Sequence, residues 1–328
     1  MKRVNNLFET FISFENILFA YKKAFKGTNK NRETLSFYFN YENELIRLIE
    51  ELKTGYYTPS PYRKFLIKDP KERIISVAPF RDRVVHHALV NILEPIFEKR
   101  FYYHSYACRK DKGVHKAIHQ AQTYLKSNKW YLKSDISKYF ASVDHSILFD
   151  IVQRKIKDKK LLDLINLIIS NGDTSGKGLP IGNLTSQFFA NVYLDILDHF
   201  IKEKIQVQAY IRYMDDFVLF DNDKERLKLA NRQIIDFISS HLHLSLKVNA
   251  TFINQRLNGL SFLGRRIFPQ TIRIKRENLK RCLTKLKTRK KEYERNVIND
   301  LQYLQSVNSL MGYIASGNTY CLRQNIVL

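Results

Sequence analysis

The chain has few of the residues that mark secreted, zinc-binding or membrane-spanning proteins. Its three cysteines, Cys108, Cys282 and Cys321, are odd in number and far apart, with no CxxC pair. This pattern argues for a reducing compartment and against a zinc site. No apolar run approaches the ~20 residues of a membrane span. The amphipathic N-terminus is interrupted by Glu9 and Glu15, so we predict a helix of the fold there and not a signal peptide. We therefore expect a cytoplasmic protein without a membrane partner.

Acidic residues are also scarce relative to basic ones. The chain carries 55 Lys and Arg against 32 Asp and Glu, a formal net charge of +23. A positive field of this size suits a polyanion, with nucleic acid as the first candidate and an acidic membrane surface as the second. Hydrophobic residues make up 44% of the 328 residues, including 22 Phe and 19 Tyr. That is enough apolar material for a packed core, which excludes a disordered chain.

The spacing of apolar residues predicts both helices and strands. Residues 7–54 have the period of two or three amphipathic helices, and Gly55 is expected to cap the last of them. Tyr62–Phe80 predicts a strand, a polar turn and a second strand, and Arg81–Phe101 predicts a helix. Further helices alternate with short strands as far as Phe268. This order is typical of an α+β chain around a small, largely antiparallel sheet.

The stretch AYIRYMDDFVLF, from Ala209 to Phe220, carries the strongest chemical signal. Two apolar runs meet across Asp215 and Asp216, which predicts a β-hairpin with both aspartates at its tip. Adjacent carboxylates repel each other unless a cation lies beside them, and Mg²⁺ prefers such oxygen ligands. A solvated turn is the alternative, because Asp is a favoured turn residue.

A third carboxylate ends another predicted strand. WYLKSDISKYF (Trp130–Phe140) predicts a strand that runs into a turn, with Asp135 at its end. Three carboxylates on adjacent strands can hold two Mg²⁺ ions about 3.5–4 Å apart. One ion activates an attacking 3′-hydroxyl and the other stabilises the leaving pyrophosphate. We therefore predict that Asp135, Asp215 and Asp216 are catalytic.

The C-terminal stretch beyond Pro269 is strongly basic. Between Arg273 and Arg295 there are eleven Lys and Arg and only three Glu, and three leucines at helical spacing form an apolar face. A solvated helix face is one interpretation, and this charge density favours the other, phosphate binding. The candidates for nucleic-acid contact are Lys280, Lys285, Lys287, Arg289 and Lys290.

With these features together, the chain resembles a reverse transcriptase over residues 55–320. YMDD (Tyr213–Asp216) is similar to the catalytic box of that family, and SDISKYF supplies its first aspartate. FLG (Phe262–Gly264) is similar to its primer-grip strand. The resemblance implies that Phe140 excludes a ribose 2′-hydroxyl and that Arg73, helped by Lys68, grips the triphosphate. The residues it implies at two Mg²⁺ ions, which Mn²⁺ is able to replace, are Asp135, Ile136, Asp215 and Asp216. Those it implies at the nucleotide are Arg73, Lys68, Ile136, Phe140, Ile181, Gly182, Gln187 and Lys247.

The same resemblance implies a right-hand polymerase architecture. The expected fingers comprise residues 1–130 with the N-terminal helices. The expected palm comprises residues 131–268 and includes a fingers-type helical insertion over about 145–178. A short helical thumb is expected over 269–328, with no maturase, DNA-binding or endonuclease domain after it. The expected partners are deoxynucleoside triphosphates, a template RNA and the RNA/cDNA duplex.

One sequence motif narrows the resemblance to a subgroup of reverse transcriptases. LPIGNLTSQ (Leu179–Gln187) has Ile181-Gly182 where most related group II intron enzymes carry Gln-Gly, followed by Ser186-Gln187. This pattern resembles the reverse transcriptases of diversity-generating retroelements. The retron-type VTG signature is absent. The resemblance implies error-prone copying of a template-repeat RNA, with errors at adenines, and a small basic accessory variability determinant as an oligomeric partner. It also implies that Lys247 is the lysine that protonates pyrophosphate, although LKVN aligns poorly with that motif.

Ile181 suggests a cause for such errors. A Gln side chain would offer an amide to the nascent base pair, whereas Ile offers only apolar contact, and removal of a polar contact changes discrimination by ~1–3 kcal/mol. Simple packing beneath a flexible loop is the alternative for this residue. Two other functions stay open for the whole chain. One is another prokaryotic reverse transcriptase, group II-like or used in phage defence, and the other is a non-catalytic RNA-binding module of polymerase shape.

Overall fold

A computed structural model describes residues 3–28, 31–68, 72–171 and 175–326. Residues 69–71, which belong to the predicted polar turn, and residues 172–174 lie outside the described residues. The helices are α1 (Phe8–Ile12), α2 (Phe14–Phe25), α3 (Arg32–Phe39), α4 (Tyr41–Thr54), α5 (Phe80–Glu98), α6 (Val114–Ser127), α7 (Tyr139–Ser142), α8 (His145–Gln153), α9 (Lys159–Ser170), α10 (Leu184–His199), α11 (Lys224–Leu242), α12 (Arg276–Glu294), α13 (Asp300–Ala315) and α14 (Tyr320–Gln324). The strands are β1 (Arg63–Ile67), β2 (Arg73–Val77), β3 (Trp130–Asp135), β4 (Ala209–Tyr213), β5 (Asp216–Asp221), β6 (Phe252–Gln255), β7 (Leu260–Phe262), β8 (Arg265–Ile267) and β9 (Ile272–Ile274).

The chain forms two compact units, and each is built from three separate segments. The first unit comprises Met1–Tyr103, Ile136–Ile205 and Gln233–Lys247. The second unit comprises His104–Asp135, Gln206–Arg232 and Val248–Leu328.

The first unit is mostly helical because its segments repeat apolar residues every three to four positions. On α4, for example, Leu45, Leu48 and Leu52 are buried on one face. Burial of each such side chain contributes about 1.5–3 kcal/mol. Gly55 adopts the left-handed conformation that ends α4, as the sequence predicts. The predicted helical stretch over 144–170 divides into α8 and α9, because Asp158 accepts a hydrogen bond from Leu161 N–H and begins a new helix.

The second unit contains two antiparallel sheets. The larger has the strand order β4-β5-β3-β6 and the smaller the order β7-β8-β9. In the larger sheet β5 pairs with both β4 and β3, so the hairpin β4–β5 is joined to the strand that ends in Asp135. α12 and α13 pack on each other through an apolar cluster that includes Cys282, Leu286 and Val307. The mixed architecture with small antiparallel sheets confirms the expected α+β class.

One detail of the hairpin prediction is wrong. The two-residue tip consists of Met214 and Asp215, while Asp216 is the first residue of β5 and pairs with Tyr213. Met214 takes the left-handed conformation that the tip requires, with a φ of +56°. The turn therefore lies one residue earlier in the chain than the predicted turn at Asp215-Asp216.

No described helix is long and apolar enough to cross a membrane.

Candidate active site

Two of the predicted catalytic aspartates lie opposite each other on neighbouring strands of the larger sheet. Asp135 is the last residue of β3, and its cross-strand partner on β5 is Asp216. Side chains at such facing positions have Cβ atoms about 4.5–5.5 Å apart. Asp215 stands immediately before Asp216, in the turn, and all three side chains are partly exposed. The strand pairing thus brings the three aspartates to one end of the sheet.

A buried arginine supports the turn that carries Asp215. Arg212 has no exposed surface, and its Nη1 donates a hydrogen bond to the carbonyl oxygen of Met214 at 3.2 Å. A left-handed backbone at a residue other than glycine costs about 1–2 kcal/mol. The hydrogen bond from a charged donor offsets that cost at Met214 and fixes the peptide that leads into Asp215.

A lysine lies against the aspartates. Lys133 Nζ is 3.0 Å from Oδ1 of Asp216. The pKa of the Asp216 carboxyl is raised to about 6. Burial is the main cause of the raised pKa, Lys133 opposes it, and the negative charges of Asp135 and Asp215 add to it. The raised pKa means that the cluster carries more negative charge than its surroundings solvate well.

The donor chemistry at this end of the sheet fits Mg²⁺. The ion usually takes one or two protein carboxylates and completes its shell with water and substrate phosphates. Asp135 and Asp216 provide such a facing pair. Within the described residues no three His, Cys, Asp or Glu side chains are placed so that they could hold a metal ion together, so the facing pair, and not the three aspartates as a group, carries the fit to the ion. Ile136 is buried and pairs with Leu246 in an isolated bridge. An isoleucine side chain has no ligand atom, so the predicted ligand is its backbone carbonyl.

In the first unit, the predicted Ile181-Gly182 box is held against β2. Ser76 N–H donates to the Ile181 carbonyl at 2.7 Å. The buried side chain of Asn183 donates to the Ser76 carbonyl at 2.9 Å and accepts from Ala78 N–H at 3.1 Å. These hydrogen bonds attach the loop to β2. Ile181 is partly exposed and Gly182 is exposed.

Phe140 adjoins the same loop. The N–H of Leu179 donates to the carbonyl of Phe140 at 2.6 Å. The neighbouring Tyr139 is buried and donates its hydroxyl to the carbonyl of Ala190 at 2.6 Å, which fixes the backbone on which the half-buried Phe140 ring stands. The structure therefore places Phe140 beside the loop that carries Ile181 and Gly182 in the first unit.

The other predicted nucleotide contacts come from separate elements of the first unit. Arg73 begins β2 opposite Ile67, and Lys68 follows β1, so both stand at one end of the hairpin and are exposed. Gln187 is half-buried on α10, and Lys247 is exposed at the end of its segment. The predicted nucleotide contacts thus lie on three separate parts of the first unit. These are the end of the β1–β2 hairpin, helix α10 and the C-terminal end of the segment Gln233–Lys247.

The predicted nucleic-acid contacts on α12 differ in their surroundings. Lys280, Lys285 and Lys287 are exposed, while Lys290 is half-buried. Arg289 donates to Glu292 at 2.7 Å, so part of its charge is already compensated. A groove of about 440 Å³ runs between α12 and α13 and is lined by Lys285, Arg289, Ile298, Gln302, Gln305, Ser306, Ser309 and Leu310.

Three residues of these sites do not follow from the sequence patterns. Lys133 and Arg212 are charged residues inside apolar strands, and Asn183 looks like an ordinary helix cap. A charged residue at a strand position that should be buried is a usable signal, because burial of a charge requires a partner. Asn183 offers no such signal, since Asn is common before helices.

Comparison with known proteins identifies the family of this chain. The family model described as reverse transcriptase (RNA-dependent DNA polymerase) matches residues 67–267. Protein YkfC of Escherichia coli (strain K12) is 28% identical over 270 residues, which cover 68% of this chain and 71% of that protein. The group II intron-encoded protein LtrA of Lactococcus lactis subsp. cremoris is 24% identical over 320 residues, 76% of this chain and 53% of LtrA.

The chain therefore spans about half the length of LtrA. A third relative, the putative COX1/OXI3 intron 2 protein of Saccharomyces cerevisiae, is 28% identical over 174 residues, 49% of this chain and 20% of that protein. The family model covers more than half of the chain and includes the aspartates, the Ile181-Gly182 box and Phe140. The chain thus belongs to the reverse transcriptase family.

Proposed function

We propose that this chain is an RNA-directed DNA polymerase that works with two Mg²⁺ ions, which Mn²⁺ is able to replace. The observation that carries the proposal is the pairing of Asp135 with Asp216 across β3 and β5, with Asp215 in the adjoining turn. Phosphoryl transfer needs little from a protein beyond positioning and positive charge. A facing pair of carboxylates on a rigid sheet, in a chain of net charge +23, supplies both.

Each residue has a role in this proposal. Asp135, Asp215 and Asp216 hold the metal ions, helped by the Ile136 carbonyl. When bound, the ions supply charge neutralisation at the attacking and leaving oxygens. Arg73 and Lys68 grip the triphosphate, Phe140 excludes a ribose 2′-hydroxyl, and Gln187 and Lys247 also contact the nucleotide. The basic face of α12 holds the RNA/cDNA duplex. The division into fingers (1–130), palm (131–268) and thumb (269–328) belongs to the same proposal.

A finer proposal concerns what is copied. The Ile181-Gly182 box supports mutagenic copying of a template-repeat RNA, with errors at adenines and with a small basic accessory protein as partner. The backbone carbonyl of Ile181 accepts the hydrogen bond that attaches the loop to β2. The Ile181 side chain takes no part in that bond and is partly exposed. An apolar side chain there gives the base pair no polar contact by which a mismatch is recognised.

Replacing Ile181 with Gln is expected to lower misincorporation opposite template adenines by about tenfold, since ~1–3 kcal/mol of polar discrimination would return. Sequencing of cDNA made by both proteins measures the change. Ile181→Leu, which restores no polar contact, is the matched control. An unchanged error rate at adenines in Ile181→Gln would show that Ile181 only packs.

Neutralising Lys285, Lys287 and Lys290 together by Gln is expected to weaken RNA/DNA duplex binding. Removal of each lysine–phosphate interaction should flatten the slope of log K against log salt by about 0.7–0.9. Fluorescence anisotropy over a range of salt concentrations measures this slope. A triple Gln variant of Lys22, Lys26 and Lys53 removes the same charge from the first unit, and an equal change of slope there would refute a specific role for α12.

Primer extension on an RNA template with all four bases, followed by sequencing, tests the function. The assay includes protein with and without any small basic protein encoded beside the gene. DNA with errors concentrated opposite adenines supports the retroelement function. Faithful or untemplated DNA supports a polymerase of another reverse-transcriptase group. Failure to make DNA in either condition, with RNA binding retained, would favour the RNA-binding module.

A further inference from the structure

Lys133 occupies an unusual position beside the aspartates. It precedes Asp135 by two residues in β3, so both side chains project from the same face of the sheet. Its cross-strand partner on β5 is Val218, whereas that of Asp135 is Asp216. Asp216 is therefore the diagonal neighbour of Lys133, within reach of a long side chain.

The contact between the two side chains is close and shielded. Nζ of Lys133 lies 3.0 Å from Oδ1 of Asp216, with 12% of the lysine side chain and 21% of the aspartate side chain exposed. Shielded charges of this kind are retained only where each has a partner. Lys133 also stands on the same face of β3 as Asp135.

The ammonium and a metal ion compete for the same atom. Oδ1 of Asp216 already has the ammonium of Lys133 as its ion-pair partner, and a second cation at the same oxygen would be repelled by the first. We infer that Lys133 is an internal counter-cation that holds Asp216 while metal is absent and that must release Asp216 before this carboxylate binds a metal ion. The inference rests on the proposed metal site. Lys133 would then be a positioning residue that sets how readily the enzyme takes up metal.

Equilibrium binding of Mn²⁺, followed by electron paramagnetic resonance of the free ion, tests this without any DNA synthesis. Lys133→Met is expected to bind Mn²⁺ about tenfold more tightly than wild type, a factor that corresponds to about 1.4 kcal/mol. Lys133→Arg keeps the competing charge and should bind Mn²⁺ as wild type does. Lys133→Gln, which keeps a hydrogen-bond donor without the charge, should bind as tightly as Lys133→Met and replaces it if that variant does not fold.

Lys129→Met is the matched control, because Lys129 is an exposed lysine immediately before β3. Its Mn²⁺ affinity should equal that of wild type. A second readout is the thermal midpoint: Lys133→Met should melt lower than wild type without metal and gain more from added Mn²⁺. A purely structural role would lower the midpoint and leave the Mn²⁺ affinity equal or weaker.

The outcomes separate this inference from the proposed function. Equal or weaker Mn²⁺ binding by Lys133→Met and Lys133→Gln, in protein that still makes DNA, would overturn the inference and leave the polymerase standing. Absence of Mn²⁺ binding in wild type would overturn both the inference and the metal site. Tighter binding in both neutral variants, with Lys133→Arg and Lys129→Met unchanged, would establish the counter-cation.

Discussion

Replacing Asp215 with Asn is expected to lower the rate of DNA synthesis by about 10³-fold or more, since a bound metal ion contributes several kcal/mol at the transition state and each 1.36 kcal/mol is tenfold. The side chain stands in the two-residue turn whose backbone is fixed by Arg212 through the Met214 carbonyl. Asn keeps the size and the turn propensity of Asp but removes the charge that a metal ion requires. The rate is measured by single-turnover primer extension.

Asp221→Asn is the control for this substitution. Asp221 ends the same strand, β5, at the end remote from the turn, and it lies 3.6 Å from Arg226. The same chemical change there should alter the rate by less than about twofold, because Asp221 is remote from the turn and Asn keeps the side-chain oxygen that accepts from Asp223 N–H. RNA binding should be nearly the same in both variants and in wild type. Substantial synthesis by Asp215→Asn would refute the proposed catalytic role.

Gly182→Ala is the second change with a large expected effect. Gly182 has a φ of +119°, and an added Cβ would lie 2.8 Å from Cγ2 of Ile75 and 3.0 Å from the Ser76 carbonyl oxygen. Backbone strain costs about 1–3 kcal/mol, and overpacking adds about 1–3 kcal/mol. The Ile75 side chain can rotate away, but the Ser76 carbonyl belongs to the backbone, so we expect the loop to move off β2 and to weaken the 2.7 Å bond between Ser76 N–H and the Ile181 carbonyl.

We expect this movement to lower kcat/KM for deoxynucleotides by about 10²-fold, because a displacement near 1 Å can cost that much in positioning. Gly113→Ala separates strain from clash. Gly113 has a φ of +104°, and a Cβ there would meet nothing within 4 Å. Thermal unfolding and steady-state kinetics of both variants give the comparison. Equal losses of kcat/KM and of thermal stability in the two variants would mean that close approach to β2 is not what requires glycine at position 182.

Local patterns in the sequence were sufficient for the elements that carry the site. Apolar runs in WYLKSD and AYIRY predict β3 and β4, and the carboxylates at or just beyond the ends of these segments predict a cation. Gly55 at the end of α4 follows the usual rule for helix ends. These features depend on neighbours in the chain, so periodicity and turn chemistry alone reveal them. Together with the order of the motifs, they also indicate the family.

The register of the strands was decided by the tertiary structure, because pairing depends on which side chains are buried across the sheet. The pairing of Asp135 with Asp216, the diagonal contact from Lys133, and the shift of the hairpin tip to Met214-Asp215 all follow from that register. The same holds for the approach of Gly182 to Ser76, which joins positions distant in the chain. The sequence by itself determined which chemical groups are present and the strands and helices that carry them. Only the tertiary structure decided which of those groups face each other, since that depends on non-local packing, which no local pattern records.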